Sequence, residues 1–510
     1  MGVWLQGFGD NIIGEVHRHY PVWEIAPCST PASKYIIFST LMEKDDMNKD
    51  TKKRRSVSKG NKYKQSLPAH LEHINKMAAG IDIGSSSHFV AVPEGCAEVC
   101  VREFPSFTTD LYALSDWLEE CGIETVAMES TGVYWIPLYE LLESRGFDVK
   151  LVDARHVKNV SGRKTDVLDC QWLQQLHTYG LLNGAFRPDE QVCVLRTYLR
   201  QRNMLIKQAS IHIHHMQKAL SQMNLQLHNV ISDITGETGM NIIRAIVVGE
   251  RDPMKLAYYR DKRCKNSVEI IAKSLTGNYR EEHIFSLTQA LELYDIYREK
   301  LAVCELKIEM QLSAFEDYPK EKQSKDNGVK KKLRSRSKNK LSFDVGSHLI
   351  RMTGVDLTAI PGIEASTALK IISEIGLDLS RWKGPKQFAS WLGLCPGNKV
   401  SGGKRLGGGK TKRTSNNAAS ALRMAASTLH ASQSALGGFF RRLKSRLGAP
   451  KAITAAAHKI ATIIFEMIKN RVEYNEVGQD YYEKQYRERM IKNLSFRAKT
   501  LGFELKEIAC

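Results

Sequence analysis

Four carboxylates stand out by their positions in the chain. Asp82 closes the apolar run of GIDIGS and Glu129 closes TVAME just before a Ser-Thr-Gly turn, while Asp166 and Asp169 lie three apart in GRKTDVLDCQWL. The first two sit at strand edges, and a spacing of three on a helix puts the second two on one face. Carboxylates gathered in a fold repel one another and are normally held together by divalent cations. An all-oxygen set without His or Cys ligand spacing calls for Mg²⁺ or Mn²⁺. Two such ions activate an attacking oxygen and stabilise a leaving one in phosphoryl transfer. Taken singly, each acid is more often a cap or a surface charge, so the joint pattern carries the case.

A second chemical feature is Ser401, which begins SGGKRLGGGKTKR, a segment expected to be flexible, with Lys404, Arg405, Lys410, Lys412 and Arg413 close by. Glycine lets the backbone approach a nucleic acid, and the cations neutralise a phosphate under attack. A serine hydroxyl needs activation by metal ions or a neighbouring base. No His adjoins it, which disfavours a hydrolase triad. On composition alone Ser401 is equally a loop residue that only touches phosphate, and Ser390 and Ser415 are weaker candidates. His212, His214 and His215 cannot all face one way on a helix, so they read as a solvated or RNA-facing surface rather than a metal site.

The charge distribution names the partner. The 510 residues carry a formal net charge of +18. From Leu379 to Phe465 there is no Asp or Glu, against sixteen Lys and Arg. A solvated surface normally mixes signs, so this stretch reads as a phosphate-binding face for nucleic acid. Membrane lipid is the competing anion, but no basic amphipathic helix with bulky apolar anchors is present. No stretch approaches a membrane span and no secretory signal is legible, so a cytoplasmic location is expected. Ten cysteines without CxxC spacing argue against a zinc ribbon or a disulfide framework, and are expected to be reduced, mostly buried thiols.

These residues need elements to position them. AAGIDIGSSSHFVAVPEG predicts strand, turn, strand, followed by a third strand at 98–104, a helix at 111–118, a strand at 125–129, a helix at 135–144 and a strand at 147–153. A further helix is expected from Thr165, as its cap, to about Tyr179. Three strands followed by alternating helix and strand make an α/β layout with a mixed sheet. From Val192 two long helical arms follow, the second with Ile284, Leu287, Leu291, Tyr294, Leu301, Ile308 and Leu312 sketching a coiled-coil seam. An antiparallel stalk fits, interrupted by a small helical insertion at 229–280. The arms are expected to pair chains into a dimer or tetramer. LTAIPGIEASTALKIISEIG at 357–376 predicts a short helix, a Pro-Gly hairpin and a second helix, a helix-hairpin-helix-like element offering backbone N–H groups to phosphate. An ordinary αα-hairpin is the alternative, and Glu364 stands where the usual second glycine would be.

GIDIGS, AMESTGVYW and GRKTDVLDCQWL resemble the three motifs of the RuvC-like, ribonuclease H-like domain in the DEDD insertion-sequence transposases, and the C-terminal half is similar to that family's serine-bearing domain. With DYYEKQYRERMIKNLSFRAKTLGFEL at 480–505, the resemblance covers nearly everything from about residue 70 onward. It implies a transposase that cleaves and rejoins donor and target DNA, with Asp82, Glu129, Asp166 and Asp169 as the metal-binding catalytic tetrad and Ser401 as nucleophile. It also implies guidance by a structured noncoding RNA, as in the RNA-guided bridge recombinases. The expected domains are an extension at 1–76, expected to be disordered, the RuvC-like domain at 77–187, a helical coiled-coil region at 188–316, a basic linker at 317–345, the serine domain at 346–470 and a helical tail at 471–510. The extension and linker lie outside the family pattern and inherit no role. Two other classes compete: a junction resolvase or similar nuclease acting by hydrolysis, which needs the tetrad but not Ser401, and a non-catalytic nucleic-acid scaffold.

Overall fold

The computed structural model describes residues 73–152, 166–318, 339–397, 399–402, 404–406, 410–412, 414 and 416–506; the side chains of 166–168, 399, 400 and 404–406 lie outside that description. Thr165, Arg413, Ser415 and residues 1–72 of the extension expected at 1–76 are likewise outside the described residues, whereas Ile74 and Asn75 are hydrogen-bonded to the Thr178 carbonyl. The chain divides into two compact units between Gly184 and Ala185.

The first unit is a five-stranded mixed sheet with order β3-β2-β1-β4-β5, formed by β1 Ala78–Ile83, β2 Ser87–Ala91, β3 Val101–Pro105, β4 Thr125–Glu129 and β5 Asp148–Val152. β1, β2 and β3 pair antiparallel, whereas β4 runs parallel to β1 and β5 parallel to β4. Helices α1 Thr108–Glu120, α2 Trp135–Ser144 and α3 Asp166–Thr178 complete it. Ile81, Val126 and Met128 point to one face and are fully buried. Gly80 and Ala127 point to the other, where α3 lies and Leu173 packs with Ala127, Val152 and Leu182. Both faces must be covered because parallel strands bury both.

The second unit is mostly helical. Two 33-residue helices, α4 Glu190–Gln222 and α9 Glu281–Ser313, run antiparallel: Gln311 reaches Gln191, Arg202 meets Glu305, and His212 stacks on Tyr297. Leu287, Leu291, Leu301, Ile308 and Leu312 of the expected seam are buried, and Ile284 and Tyr294 pack beside them. The seam is therefore filled from within the chain. Between the arms lie α5 Leu227–Val230, α6 Glu237–Val248, α7 Pro253–Ala257 and α8 Val268–Ser274, whose apolar faces close over Met216, Leu220, Leu287 and Leu291.

Beyond the arms come α10 Val345–Thr353, a 3₁₀ turn Leu357–Ala359, α11 Ala365–Ile375, α12 Pro385–Trp391, a hairpin β6 Lys399–Ser401 with β7 Lys404–Leu406, α13 Asn417–Thr428, α14 Ala435–Leu447, α15 Ala449–Asn470 and α16 Gly478–Thr500. The first helix expected at 357 is only a 3₁₀ turn. Asp356 caps it through Thr358, and Ile360 is extended because Pro361 follows it. The thiols also differ from expectation: of the eight described cysteines, Cys121, Cys170 and Cys304 are buried and five are half-buried. No described helix is long and apolar enough to cross a membrane.

Candidate functional site

Asp82 and Glu129 come together through strand register. Gly80 pairs with Ala127 and Ile81 with Met128 in parallel β1 and β4, so one step further along the same register sets Asp82 beside Glu129 at the carboxyl ends. Alternation along each strand puts both on the face covered by α3. That helix runs antiparallel to them. Its last turn, at His177 and Thr178, meets the start of β4 at Thr125 and the entering chain at Ile74, and its middle crosses Gly80. Its first turn, with Asp166 and Asp169, therefore lies over the carboxyl ends.

Gly80 makes this approach possible. A Cβ there would sit 2.3 Å from the Gln174 backbone nitrogen and 2.4 Å from the Cys170 carbonyl oxygen, so any side chain would push the acid-bearing helix off the sheet. The acids leave a mark on the buried Cys170. Burial pushes its thiol up to about 12, with the charges of Asp82 and Asp169 adding to the rise. Among the described residues no three His, Cys, Asp or Glu form a group that could hold a metal ion; the Asp166 side chain lies outside them. The donor chemistry is all oxygen, the kind that suits a hard divalent cation.

Glu129 is also set by the turn that follows it. The Thr131 hydroxyl donates to Glu129 Oε1 at 3.2 Å. Ser130 donates to the Val152 carbonyl from both its backbone N–H, at 2.9 Å, and its hydroxyl, at 3.0 Å. Neither contact was legible in the sequence beyond the Ser-Thr-Gly turn signal.

Ser401 lies in the second unit, on a hairpin rather than in a flexible loop. It ends β6, pairs in register with Lys404, and is exposed; the turn begins at Gly402 with φ +55°. The hairpin is longer than its named strands: Gly397 N–H donates to the Lys410 carbonyl at 3.1 Å, and Pro396 bridges Thr411. One end springs from an aromatic cluster in which Trp382 packs on Phe186, Phe388 and Trp391 at 4.8 to 5.1 Å. The other end runs into Asn416, whose side chain caps α13, and Asn417, which donates to Glu374 at 2.9 Å. Glu374 also accepts from Arg200 and pairs with Arg196 of α4. Lys410 and Lys412 are exposed and form no ion pair among the described residues, as do Lys383, Lys386, Lys444, Arg446, Lys451 and Lys459. Ser390 is exposed on α12. Of the three histidines on α4, His212 is packed against Tyr297 with its Nδ1 buried and unbonded among the described residues; His214 and His215 are exposed.

Two family models match the chain. One, for the DEDD domain of IS110-type elements and described as Transposase, spans residues 79–225; the other, described as Transposase IS116/IS110/IS902 family, spans 356–439. The four carboxylates fall within the first and Ser401 within the second. None of the curated proteins matches.

Proposed function

The chain belongs to the IS110-type DEDD transposases, and from that premise we propose that it cuts and rejoins DNA with Asp82, Glu129, Asp166 and Asp169 as a metal-binding tetrad and Ser401 as nucleophile. The observation that carries this reading is the convergence of Asp82, Glu129 and the first turn of α3 on one end and one face of the sheet. The sheet is read as RuvC-like, which its order β3-β2-β1-β4-β5 supports. Mg²⁺ or Mn²⁺ suits these oxygen donors and supplies charge neutralisation for phosphoryl transfer. Glu129, steadied by Thr131, and Asp82, fixed by the β1–β4 ladder, are preorganised ligands that bring little reorganisation to the reaction.

Ser401 attacks phosphorus through Oγ, a DNA oxygen leaves, and the phosphodiester energy is kept in a serine–phosphate bond that a DNA hydroxyl then breaks on rejoining. Its proton needs an acceptor other than a carboxylate of 379–465, because that stretch contains none. Lys404, Arg405, Lys410, Lys412 and Arg413 hold the phosphate backbone. Guidance by a structured noncoding RNA and assembly into a dimer or tetramer belong to the same reading, by resemblance. The filled seam between α4 and α9 means that pairing of chains would use other faces of the arms.

The test is a denaturing gel of labelled DNA incubated with protein and Mg²⁺. Wild type should give a covalent protein–DNA adduct, Ser401→Ala none, and Ser390→Ala the wild-type amount. Asp82→Asn should abolish cutting with its circular dichroism unchanged. Cutting by Ser401→Ala at the wild-type rate without an adduct would replace this reading with hydrolysis by a nuclease, and cutting by Asp82→Asn would sink the tetrad.

A further inference from the structure

The turn after Glu129 presents an aromatic ring that the tetrad does not use. Val133 and Tyr134 are 67% and 47% exposed, high values for apolar side chains one turn from a candidate catalytic carboxylate. Their exposure is built in. Gly132 takes φ +56°, which few L side chains adopt, and accepts from Trp135 Nε1 at 3.2 Å. Trp135 is fixed in turn by an edge contact with Tyr139 at 5.6 Å. The Tyr134 ring edge occupies the space beside Gly132, where a Cβ would meet Cε2 and Cδ2 at 3.3 and 3.4 Å. One edge of the ring is thus set close to the glycine while the residue stays open to solvent.

A half-exposed ring next in sequence to an exposed apolar side chain, on a turn fixed by hydrogen bonds, offers a surface to a flat partner. We infer that Tyr134, with Val133 at its edge, is a stacking subsite for an unpaired base of the DNA strand, next to the phosphate held at the carboxylate end. Stacking suits the place: every base has a π face, so the subsite steadies a displaced strand without reading its sequence. The turn's fixed hydrogen bonds tie that base to the position of Glu129, since Thr131 holds the carboxylate and the following residues hold the ring. The location beside a reacting phosphate rests on the function proposed above; the stacking itself does not.

The experiment uses the full chain, EDTA to stop cleavage, and a single-stranded oligodeoxynucleotide carrying 2-aminopurine at every third position, in about 0.3 M salt to suppress binding through phosphates alone. Stacking lowers 2-aminopurine fluorescence. Wild type and Tyr134→Phe should both quench it, whereas Tyr134→Ala should lose the quench and bind about five- to a hundred-fold more weakly, as expected for one lost base–aromatic stack. Tyr134→Ala quenching and binding like wild type would overturn the proposal. Because no cutting is involved, that result is independent of whether Asp82→Asn still cuts, which tests the carboxylates alone.

Discussion

His177 shows how single residues hold the first unit in register. It is fully buried at the base of α3. The Thr125 hydroxyl donates to the Asp148 carbonyl at 2.8 Å, so His177 Nε2 carries the proton and donates to Thr125 at 2.8 Å; Nδ1 then accepts from Asn75 at 3.5 Å. A proton on Nδ1 would face the Asn75 amide group, itself a donor. Burial first, and Lys150 second, hold the imidazole down at about 4. The unfolded chain takes this proton near 6.5, so between about 6.5 and 4 the unfolded state binds it and the folded state does not. Stability of this unit should therefore be fully present above 6.5 and fall with pH through that window, by up to about 1.4 kcal/mol per pH unit. Urea melts of wild type and His177→Gln from pH 7.5 to 4.5 check this. His177→Gln should be less stable at neutral pH yet flatter across the window, and equal slopes would remove His177 as the cause.

Between elements, the arms are joined by apolar packing and by one buried ion pair. Arg202 of α4 donates to Glu305 Oε1 of α9 through Nε at 2.9 Å and Nη2 at 2.6 Å, and both side chains are nearly buried. The pair also ties down the chain entering α10: Arg202 reaches the Asn339 carbonyl at 2.8 Å, and Ser342 N–H donates to Glu305 Oε2 at 3.2 Å. Removing one partner strands a buried charge, which costs about 3 to 5 kcal/mol, whereas replacing both with apolar residues of similar size is often near neutral. Arg202→Met should accordingly lower the melting temperature markedly, and Arg202→Met with Glu305→Leu should recover most of it in calorimetry. A double variant no more stable than the single one would show that the hydrogen bonds to Asn339 and Ser342, rather than the unpaired charge, set the cost.

For the molecule as a whole, charge is segregated along the chain. The acid-free stretch 379–465 includes the Ser401 hairpin, and its exposed Lys383, Lys386, Lys410, Lys412, Lys444, Arg446, Lys451 and Lys459 form no ion pair among the described residues. Such cations release counterions when they meet phosphate. Lys410→Gln with Lys412→Gln should therefore make the salt dependence of duplex DNA binding shallower by nearly two in log–log slope, about 0.9 per lost phosphate contact. Fluorescence anisotropy across a NaCl series measures it; an unchanged slope would mean that these two lysines face solvent rather than DNA.

Patterns with a local cause were legible in the sequence. β4 and α2 lie within the expected residues because an apolar run bounded by turn signals and a helical period are properties of neighbouring residues. The α9 seam was legible from its spacing, and the charge of the 379–465 stretch from a count. Tertiary structure decided what depends on distant partners. Nothing in GIDIGS shows that Gly80 lies under the backbone of α3, and nothing in AMESTGVYW shows an edge of the Tyr134 ring set beside Gly132. The seam's spacing cannot say whether its partner is another chain or the arm about a hundred residues earlier; the antiparallel return through α5 to α8 answers that, because it brings α4 alongside α9 within one chain. Ser401 stands on a hairpin rather than a loose loop for a similar reason. Glycine composition suggests freedom, but Ser401 pairs in register with Lys404 and Gly397 donates to the Lys410 carbonyl, contacts that composition alone does not specify.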